Sequence, residues 1–108
     1  MDYNKLSTDE LEKNFNPRES VENFNDYLED SLLKSKDVKK QTHIYENIPY
    51  GKGPLQKLDI FGKNNKEDLK PLHIFIHGGY WRALDKDYHA HMSVPFNKNN
   101  ILFFNINY

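Results

Sequence analysis

The strongest constraint on the fold is a short apolar run that ends in two glycines. The run is "LHIFIH", Leu72 to His77, and it lies between Pro71 and Gly78. Apolar residues that follow one another almost without interruption over a few positions are typical of a parallel strand that is buried on both faces. The sequence therefore predicts a buried parallel strand that ends at the pair Gly78–Gly79.

The residues after the glycines predict the rest of a βαβ unit. Asp85 can cap a helix over "KDYHAHMSVPFNK", residues 86–98, which Pro95 should kink or shorten. The pair "NN" then predicts a turn, and "ILFFNINY", residues 101–108, predicts a second buried strand. Strand, glycine turn, helix and strand form a βαβ unit, for which a right-handed crossover is expected.

Two helices are predicted before the sheet. In "LSTDELEKNF" Ser7 and Glu10 have the spacing of a capping box. In residues 16–33, "NPRESVENFNDYLEDSLL", Asn16 can cap a helix that Pro17 begins. Four apolar residues of this helix recur at helical spacing and predict one packing face: Val21, Phe24, Leu28 and Leu32. The basic run "KSKDVKK" that follows is interpreted as a solvated helix end and linker.

Two strands are predicted between these helices and the apolar run. "THIYENIPYG", residues 42–51, is ended by Pro49 and Gly51 and predicts an edge strand. "LQKLDIF", residues 55–61, alternates well enough to predict a second strand, and residues 62–71, "GKNNKEDLKP", predict a polar surface loop.

Composition excludes several classes of function. The net charge is -1 and the only arginines are Arg18 and Arg82, so no basic field for nucleic acid exists. The absence of cysteine excludes disulfides, thiolate metal sites and a cysteine nucleophile. No signal peptide is visible, and the apolar runs are too short to span a membrane. We expect a cytoplasmic protein without a cofactor.

Gly78 and Gly79 stand where open α/β sheets bind ligands, beyond the carboxyl end of a strand. A glycine turn there can aim successive backbone N–H groups at one point and stabilise a negative oxygen. On these residues alone, "HGG" is better explained as a plain tight turn, because glycine pairs are common in turns. Both interpretations stay open at this point.

The flanking residues favour the first interpretation. "FIHGGYW" followed by "RALDKD", after "YGKGPLQKLDIF", resembles the α/β-hydrolase superfamily, in which an HGGG-type motif contributes to the oxyanion hole. The HGGxW pattern is most similar to the kynurenine formamidase-like and carboxylesterase-like serine hydrolases, and "NFNPRESVENF" resembles the leader segment of that branch. The resemblance runs from about Leu11 to Tyr108.

The resemblance implies a role for each residue of the motif. The backbone N–H groups of Gly79 and Tyr80 would form the oxyanion hole, and Gly78 would allow the close approach of a ligand. His77 would hold the turn through side-chain hydrogen bonds without being the catalytic base. Trp81 would pack beneath the loop, and Tyr80 would line an acyl or aryl pocket.

The catalytic triad of such an enzyme is not found in these residues. The superfamily places its serine in G-x-S-x-G, with the acid and the histidine later in the chain. No serine of this sequence lies between glycines: Ser7, Ser20, Ser31, Ser35 and Ser93. The resemblance thus implies the N-terminal part of an α/β-hydrolase fold, with two leading helices, about four strands, one crossover helix and an incomplete sheet.

Two functions follow as alternatives. The first is the N-terminal fragment of a serine hydrolase that acts on a carboxylic ester or an aryl formamide. The fragment would bind such a small-molecule substrate only when it is completed by the missing C-terminal part. The second is a non-catalytic remnant or interaction module on a truncated hydrolase scaffold. A half-enzyme that assembles with a separate C-terminal piece is a third option. In each case we expect the 108-residue chain alone to be inactive.

Other candidate residues carry weaker signals. His89 and His91 form an H-x-H pair without a well-spaced acidic partner, so no metal site is predicted. Asp59 and Asp85 are interpreted as a strand-end residue and a helix cap. We expect one partial domain, residues 1–108, with a helical segment over 1–40 and the start of the sheet over 42–108. The open edge along 72–77 predicts self-association or marginal stability.

Overall fold

The structure, a computed structural model, describes residues 2–63 and 69–108 and has a mixed α/β architecture. Residues 64–68 of the predicted polar loop lie outside the described residues. The described residues form three helices and four strands in this order: α1 (Thr8–Phe15), α2 (Phe24–Gln41), β1 (Ile44–Pro49), β2 (Lys57–Phe61), β3 (Leu72–Ile76), α3 (Ser93–Lys98) and β4 (Leu102–Ile106). A short 3₁₀ turn, Tyr3–Lys5, precedes α1.

The four strands form one mixed sheet in the order β1-β2-β4-β3. β3 and β4 pair in parallel, with Ile74 opposite Phe104, which confirms the strand pairing predicted for the βαβ unit. β2 joins β4 on its other side in the antiparallel direction, and β1 pairs antiparallel with β2. β1 is an edge strand, as predicted, and β3 forms the opposite edge.

α1 begins where the sequence predicts it. Ser7 Oγ accepts a hydrogen bond from Glu10 N, and the Glu10 carboxylate accepts one from Ser7 N at 2.8 Å. A reciprocal capping box therefore satisfies the backbone amides of Ser7 and Glu10 at the start of the helix.

α2 begins later than predicted, at Phe24 rather than at Pro17. The side chain of Asn16 does not cap it; Asn16 Oδ1 instead accepts a hydrogen bond from Arg18 N at 3.0 Å. Ser20 Oγ donates to Pro17 O at 2.8 Å. Local side-chain hydrogen bonds of this kind compete with helix formation, so the chain makes turns here before the helix starts.

α2 also runs further than predicted, because residues in its last turns make tertiary contacts. The basic run from Lys34 to Lys40, interpreted as a helix end and linker, is helical up to Gln41. Within it Ser35 is fully buried, and Val38 packs against the main hydrophobic cluster. No helix in the described residues is long and apolar enough to cross a membrane.

The helix predicted over residues 86–98 is broken into three pieces. Two 3₁₀ turns, Lys86–Tyr88 and Ala90–Met92, precede α3. Asp85 caps the first turn as predicted, through its side-chain oxygen. Pro95 is the third residue of α3, where its missing N–H removes no intrahelical hydrogen bond, so the proline limits how far the helix can extend backwards.

The prediction that β3 is buried on both faces is wrong. Leu72, Ile74 and Ile76 are exposed over 52%, 55% and 63% of their surface. They point to one side of the sheet, where nothing among the described residues covers them, and neighbouring strands add further apolar side chains to the same side. We call this side the apolar sheet face: Tyr45, Ile48, Leu58, Ile60, Leu72, Ile74, Ile76, Leu102, Phe104 and Ile106.

The opposite side of the sheet carries the core. Phe61 and Phe103 are fully buried, with ring centroids 6.2 Å apart in an edge-on arrangement, and Ala90 closes the cluster from above. Partly buried apolar residues from the helices and strands surround them: Val38, Ile44, Phe75, Met92 and Phe96. Helices and 3₁₀ turns therefore cover one side of the sheet only in the described residues.

A buried ion pair sits on the covered side, beside this core. Asp59 is fully buried in the middle of β2, so its interpretation as a strand-end residue is wrong. Its Oδ2 accepts a hydrogen bond from Lys86 Nζ at 2.9 Å, and its Oδ1 accepts one from Asn47 N at 2.8 Å. Lys39 Nζ lies 3.7 Å from the same carboxylate.

Asp87 completes this charged cluster at its solvent side. Asp87 Oδ1 accepts hydrogen bonds from Lys39 Nζ at 2.6 Å and from Lys86 Nζ at 3.1 Å. Burial acts to lower the pKa of Lys86, but the hydrogen bond and charge of Asp59, followed by those of Asp87, outweigh it and raise the pKa. Burial likewise opposes ionisation of Asp87, yet the two lysines lower the pKa of Asp87.

We predict that Lys86→Met destabilises the fold by about 3–5 kcal/mol, because it leaves the Asp59 carboxylate buried without its closest cation. Lys34→Met is the matched control, since Lys34 pairs with Asp30 on the exposed surface of α2 and its loss should cost at most about 1 kcal/mol. Urea denaturation of both variants measures the difference. Equal losses of stability would contradict this assignment.

Candidate functional site

The segment from His77 to Asp85, which we call the glycine loop, connects the carboxyl end of β3 to the first 3₁₀ turn. Three consecutive residues in it adopt left-handed backbone angles: φ is +123° at Gly79, 56° at Tyr80 and 57° at Trp81. Non-glycine residues rarely adopt such angles, and they persist only where the surrounding structure enforces them. The loop is therefore a strained feature with a specific shape.

Gly79 cannot be replaced in this loop without a clash. A Cβ atom built on Gly79 would lie 1.9 Å from Ala83 O, far inside van der Waals contact. The loop folds back tightly because Gly79 O accepts hydrogen bonds from both Arg82 N at 3.0 Å and Ala83 N at 3.1 Å. Gly78 differs, since nothing lies within 4 Å of the position of its Cβ.

The two amides predicted for an oxyanion hole have no partner inside the described part of the chain. Neither Gly79 N nor Tyr80 N donates a hydrogen bond to any atom of residues 2–63 or 69–108. Gly79 is half-buried and Tyr80 is exposed, so these two neighbouring donors are available to a ligand or to water.

His77 is buried at the start of the glycine loop, with 3% of its surface exposed. Its Nδ1 lies 2.7 Å from Gly78 O, and its Nε2 lies 3.0 Å from Asn107 Oδ1. The ring stacks on Tyr108 with centroids 4.4 Å apart. Both nitrogens and one face of the His77 ring therefore contact other residues of the chain.

Tyr80 and Trp81 project into solvent, with 78% and 80% of their surface exposed. The resemblance predicted that Trp81 packs beneath the loop and that Tyr80 lines a pocket. In the described residues Trp81 does not pack beneath the loop, and Tyr80 lines no pocket. Both residues have left-handed backbone angles, and their rings contact each other at 5.7 Å between centroids.

The end of β4 holds the glycine loop from below, a role that sequence analysis missed. Asn105 Nδ2 donates to Lys86 O at 2.7 Å, and Tyr108 Oη donates to His77 O at 2.8 Å. Asn107 contacts both ends of the loop. Two asparagines at alternate positions of an apolar strand place both side chains on one face, and this was the signal available in the sequence.

The side chains of Asp85 and His91 make hydrogen bonds within the chain. Asp85 accepts hydrogen bonds from Asp87 N at 2.8 Å and from Asn107 Nδ2 at 2.9 Å, so it is a cap and a loop anchor together. His91 Nδ1 lies 3.0 Å from the buried Ser35 Oγ. Among the described residues, no group of three histidine, cysteine, aspartate or glutamate side chains could hold a metal ion.

His89 faces the loop from the covered side. Its ring stacks parallel to His77 at 5.9 Å, and its buried Nε2 has no hydrogen-bond partner among residues 2–63 and 69–108. Burial lowers the pKa of His89, and the nearby His77 and His91 lower it further against a smaller opposing effect of Asp85. The neutral ring is therefore favoured beside the loop.

Comparison with known proteins relates the chain to hydrolases. It is 32% identical over 100 residues to kynurenine formamidase of Danio rerio and 29% identical over 99 residues to that of Salmo salar. A crystal structure of a candidate thioesterase from a Silicibacter species superimposes with a TM-score of 0.79 at 26% identity, covering 92% of this chain. No protein-family model matches the chain.

These likenesses cover most of this chain but a minor part of the relatives. The matched region is 87% and 86% of this chain and 34% of each of the two formamidases, and the chain covers 38% of the thioesterase structure. The chain therefore spans about a third of the length of the curated relatives that it matches. Over that third, its sequence and fold are related to those of hydrolase enzymes.

We predict that Gly79→Ala destabilises the chain by at least about 1–3 kcal/mol, because alanine meets both a left-handed backbone and a clash with Ala83 O. Gly78→Ala is the matched control, since its added methyl group enters open space, and its stability should change by less than about 1 kcal/mol. Chemical denaturation of the two variants decides between them. Similar stabilities would show that the loop does not have this backbone.

Proposed function

We propose that this chain contributes the oxyanion-binding, N-terminal part of a serine hydrolase that acts on a carboxylic ester or an aryl formamide. The observation that carries the proposal is the pair of unpartnered amides, Gly79 N and Tyr80 N, in a left-handed loop at the carboxyl end of β3. The relatives named kynurenine formamidase and the thioesterase-like structure support hydrolysis of an acyl bond as the reaction class.

The chemical role of the loop follows from where charge develops in acyl transfer. When a nucleophile attacks a carbonyl carbon, the carbonyl oxygen becomes negative, and pre-positioned N–H donors stabilise it. One such donor contributes about 2.7–4 kcal/mol to the transition state. The strained backbone keeps Gly79 N and Tyr80 N free of internal partners, so no intramolecular hydrogen bond has to break when an oxyanion forms.

The nucleophile of the proposed enzyme is not supplied by the serines of the sheet region. Ser35 and His91 form a hydrogen-bonded pair, but Ser35 is fully buried against the covered side of the sheet and cannot reach a substrate. Ser93 is also fully buried. In the proposed function the serine, the acid and the base come from the region that corresponds to the other two thirds of the relatives.

A non-catalytic role is the second candidate, and one specific observation favours it. The glycine loop occurs in these 108 residues without a G-x-S-x-G elbow beside it. In this case the left-handed loop would be a retained structural feature, and Gly79→Ala would change stability without changing any reaction.

A chimera tests the proposed function. The segment of the Danio rerio formamidase that matches this chain is replaced by the corresponding residues, and hydrolysis of an aryl formamide, a p-nitrophenyl ester and an acyl thioester is measured. We expect turnover of at least one substrate, and a loss of about 10²–10³ in kcat for Gly79→Ala in the chimera, because a displaced donor no longer meets the oxyanion.

Gly62→Ala is the matched control for this loss. Gly62 also has a left-handed backbone, with φ 109°, but it lies beside Leu102 and Asn97 at the opposite end of the sheet. The control should therefore destabilise the chimera without lowering kcat. A folded chimera that hydrolyses none of the three substrates, or equal kcat values for the two variants, would contradict the proposed function.

We also propose that the isolated chain associates with a second copy through the apolar sheet face. Ile74 and Ile76 at its edge are more than half exposed, and every side chain of this face is apolar or aromatic. Two copies can therefore stack these faces without burying a charge. The outer edge of β3 is unpaired among the described residues, so its backbone donors and acceptors can pair with a strand of another copy.

We predict that Ile74→Lys makes the chain monomeric, whereas the unsubstituted chain is a dimer or larger. Leu33→Lys is the matched control, because Leu33 on α2 is exposed to a similar extent, 63% against 55%, and lies away from the sheet. Sedimentation velocity at several concentrations measures the association. A monomeric parent chain, or loss of association in both variants, would refute the proposal.

A further inference from the structure

Both ends of the glycine loop are bound to the side chain of Asn107. At the start of the loop, His77 Nε2 lies 3.0 Å from Asn107 Oδ1. At its end, Asn107 Nδ2 donates to Asp85 Oδ2 at 2.9 Å, and Lys86 N donates to Asn107 Oδ1 over a longer 3.4 Å. A single amide group therefore spans the two points between which the strained backbone runs.

Asn107 is itself held rigidly. Only 5% of its surface is exposed. Its backbone N–H donates to Lys57 O at 2.9 Å, and its backbone carbonyl accepts a hydrogen bond from Tyr50 Oη. These bonds connect it to β2 and to the turn after β1, on the far side of β4 from the loop. The sheet therefore fixes the position from which the side chain reaches the loop.

The contacts of Asn107 also determine which of its side-chain atoms faces His77. The Asp85 carboxylate accepts from the NH₂ group of Asn107, so the Asn107 oxygen faces His77 Nε2. The other ring nitrogen, Nδ1, faces Gly78 O at 2.7 Å. Both ring nitrogens are therefore in contact with oxygen atoms, which fixes the orientation of the ring.

We propose that Asn107 is the positioning residue of the glycine loop: it sets the separation of His77 and Asp85 and thereby holds Gly79, Tyr80 and Trp81 in the left-handed conformation. The loop has no other cross-link of this kind among the described residues, since Tyr108 binds only its first residue and Asn105 binds only Lys86, beyond its end. The catalytic meaning of this role rests on the proposed function, but the role itself concerns backbone geometry.

The test uses the isotopically labelled 108-residue chain and NMR, without any activity. Asn107→Ala removes all three contacts, and we expect the chemical shifts of Tyr80 and Trp81 to lose the signature of positive φ. The amides of Arg82 and Ala83, which bind Gly79 O, should exchange with solvent about tenfold faster or more. The resonance of His77 Nε2 should also shift, because its acceptor is gone.

Asn97→Ala is the matched control. Asn97 Nδ2 also donates two hydrogen bonds, to Phe61 O at 3.1 Å and to Ile101 O at 2.9 Å, but at the opposite end of the sheet. It should lower stability and leave the shifts of Tyr80 and Trp81 unchanged. If Asn97→Ala alters the loop as much as Asn107→Ala, or if Asn107→Ala leaves the loop unchanged, the proposal is wrong.

A charge swap keeps the proposal testable if Asn107→Ala does not fold. Asp85→Asn alone leaves one acceptor oxygen for two donors, Asp87 N and Asn107 Nδ2, so one of these two hydrogen bonds is lost and the loop should be released. Adding Asn107→Asp restores one acceptor and one donor between the two positions, while the new side chain still accepts from His77 Nε2. We expect the double substitution to recover the positive φ at Tyr80 and Trp81. Failure of the double substitution to recover it would overturn the proposal.

Discussion

The buried ion pair between Lys86 and Asp59 is the interaction on which the rest of the structure depends. It joins the first residue after the glycine loop to the middle of β2, across the covered side of the sheet. Because a carboxylate and an ammonium are stable there only as a pair, Lys86 cannot move without a large cost. Asn105 donates to Lys86 O and Asn107 donates to the Asp85 carboxylate, so the end of the loop is anchored both to β2 and to the end of β4.

This anchoring explains how a chain with a small core can hold a strained loop. The fully buried apolar side chains are few, and one side of the sheet is uncovered among the described residues. Polar contacts between the end of β4 and the loop supply the specificity that packing alone does not. The result is a loop whose shape depends on the sheet beneath it rather than on the aromatic residues Tyr80 and Trp81, which remain exposed.

Local signals in the sequence predicted much of this fold, and tertiary contacts account for the differences. The capping box of Ser7 and Glu10 needs only neighbouring residues, and it was predicted correctly. The burial of β3 could not be predicted from its apolar run, because the same run occurs in a strand with one uncovered face. At the site, the motif "HGGYW" was enough to predict the position of the loop. The ion pair of Asp59 with Lys86 could not be predicted, because it joins residues 27 positions apart and no local sequence pattern indicates it.

The central claim is that Gly79 N and Tyr80 N belong to a loop that is rigid and yet leaves both amides without internal partners. NMR relaxation and hydrogen exchange on these two amides test it most directly. The account predicts order parameters of about 0.85, as in rigid backbone, together with fast exchange. Order parameters below about 0.6 would show a flexible loop, and slow exchange would show amides already bonded within the chain; either result would contradict the account.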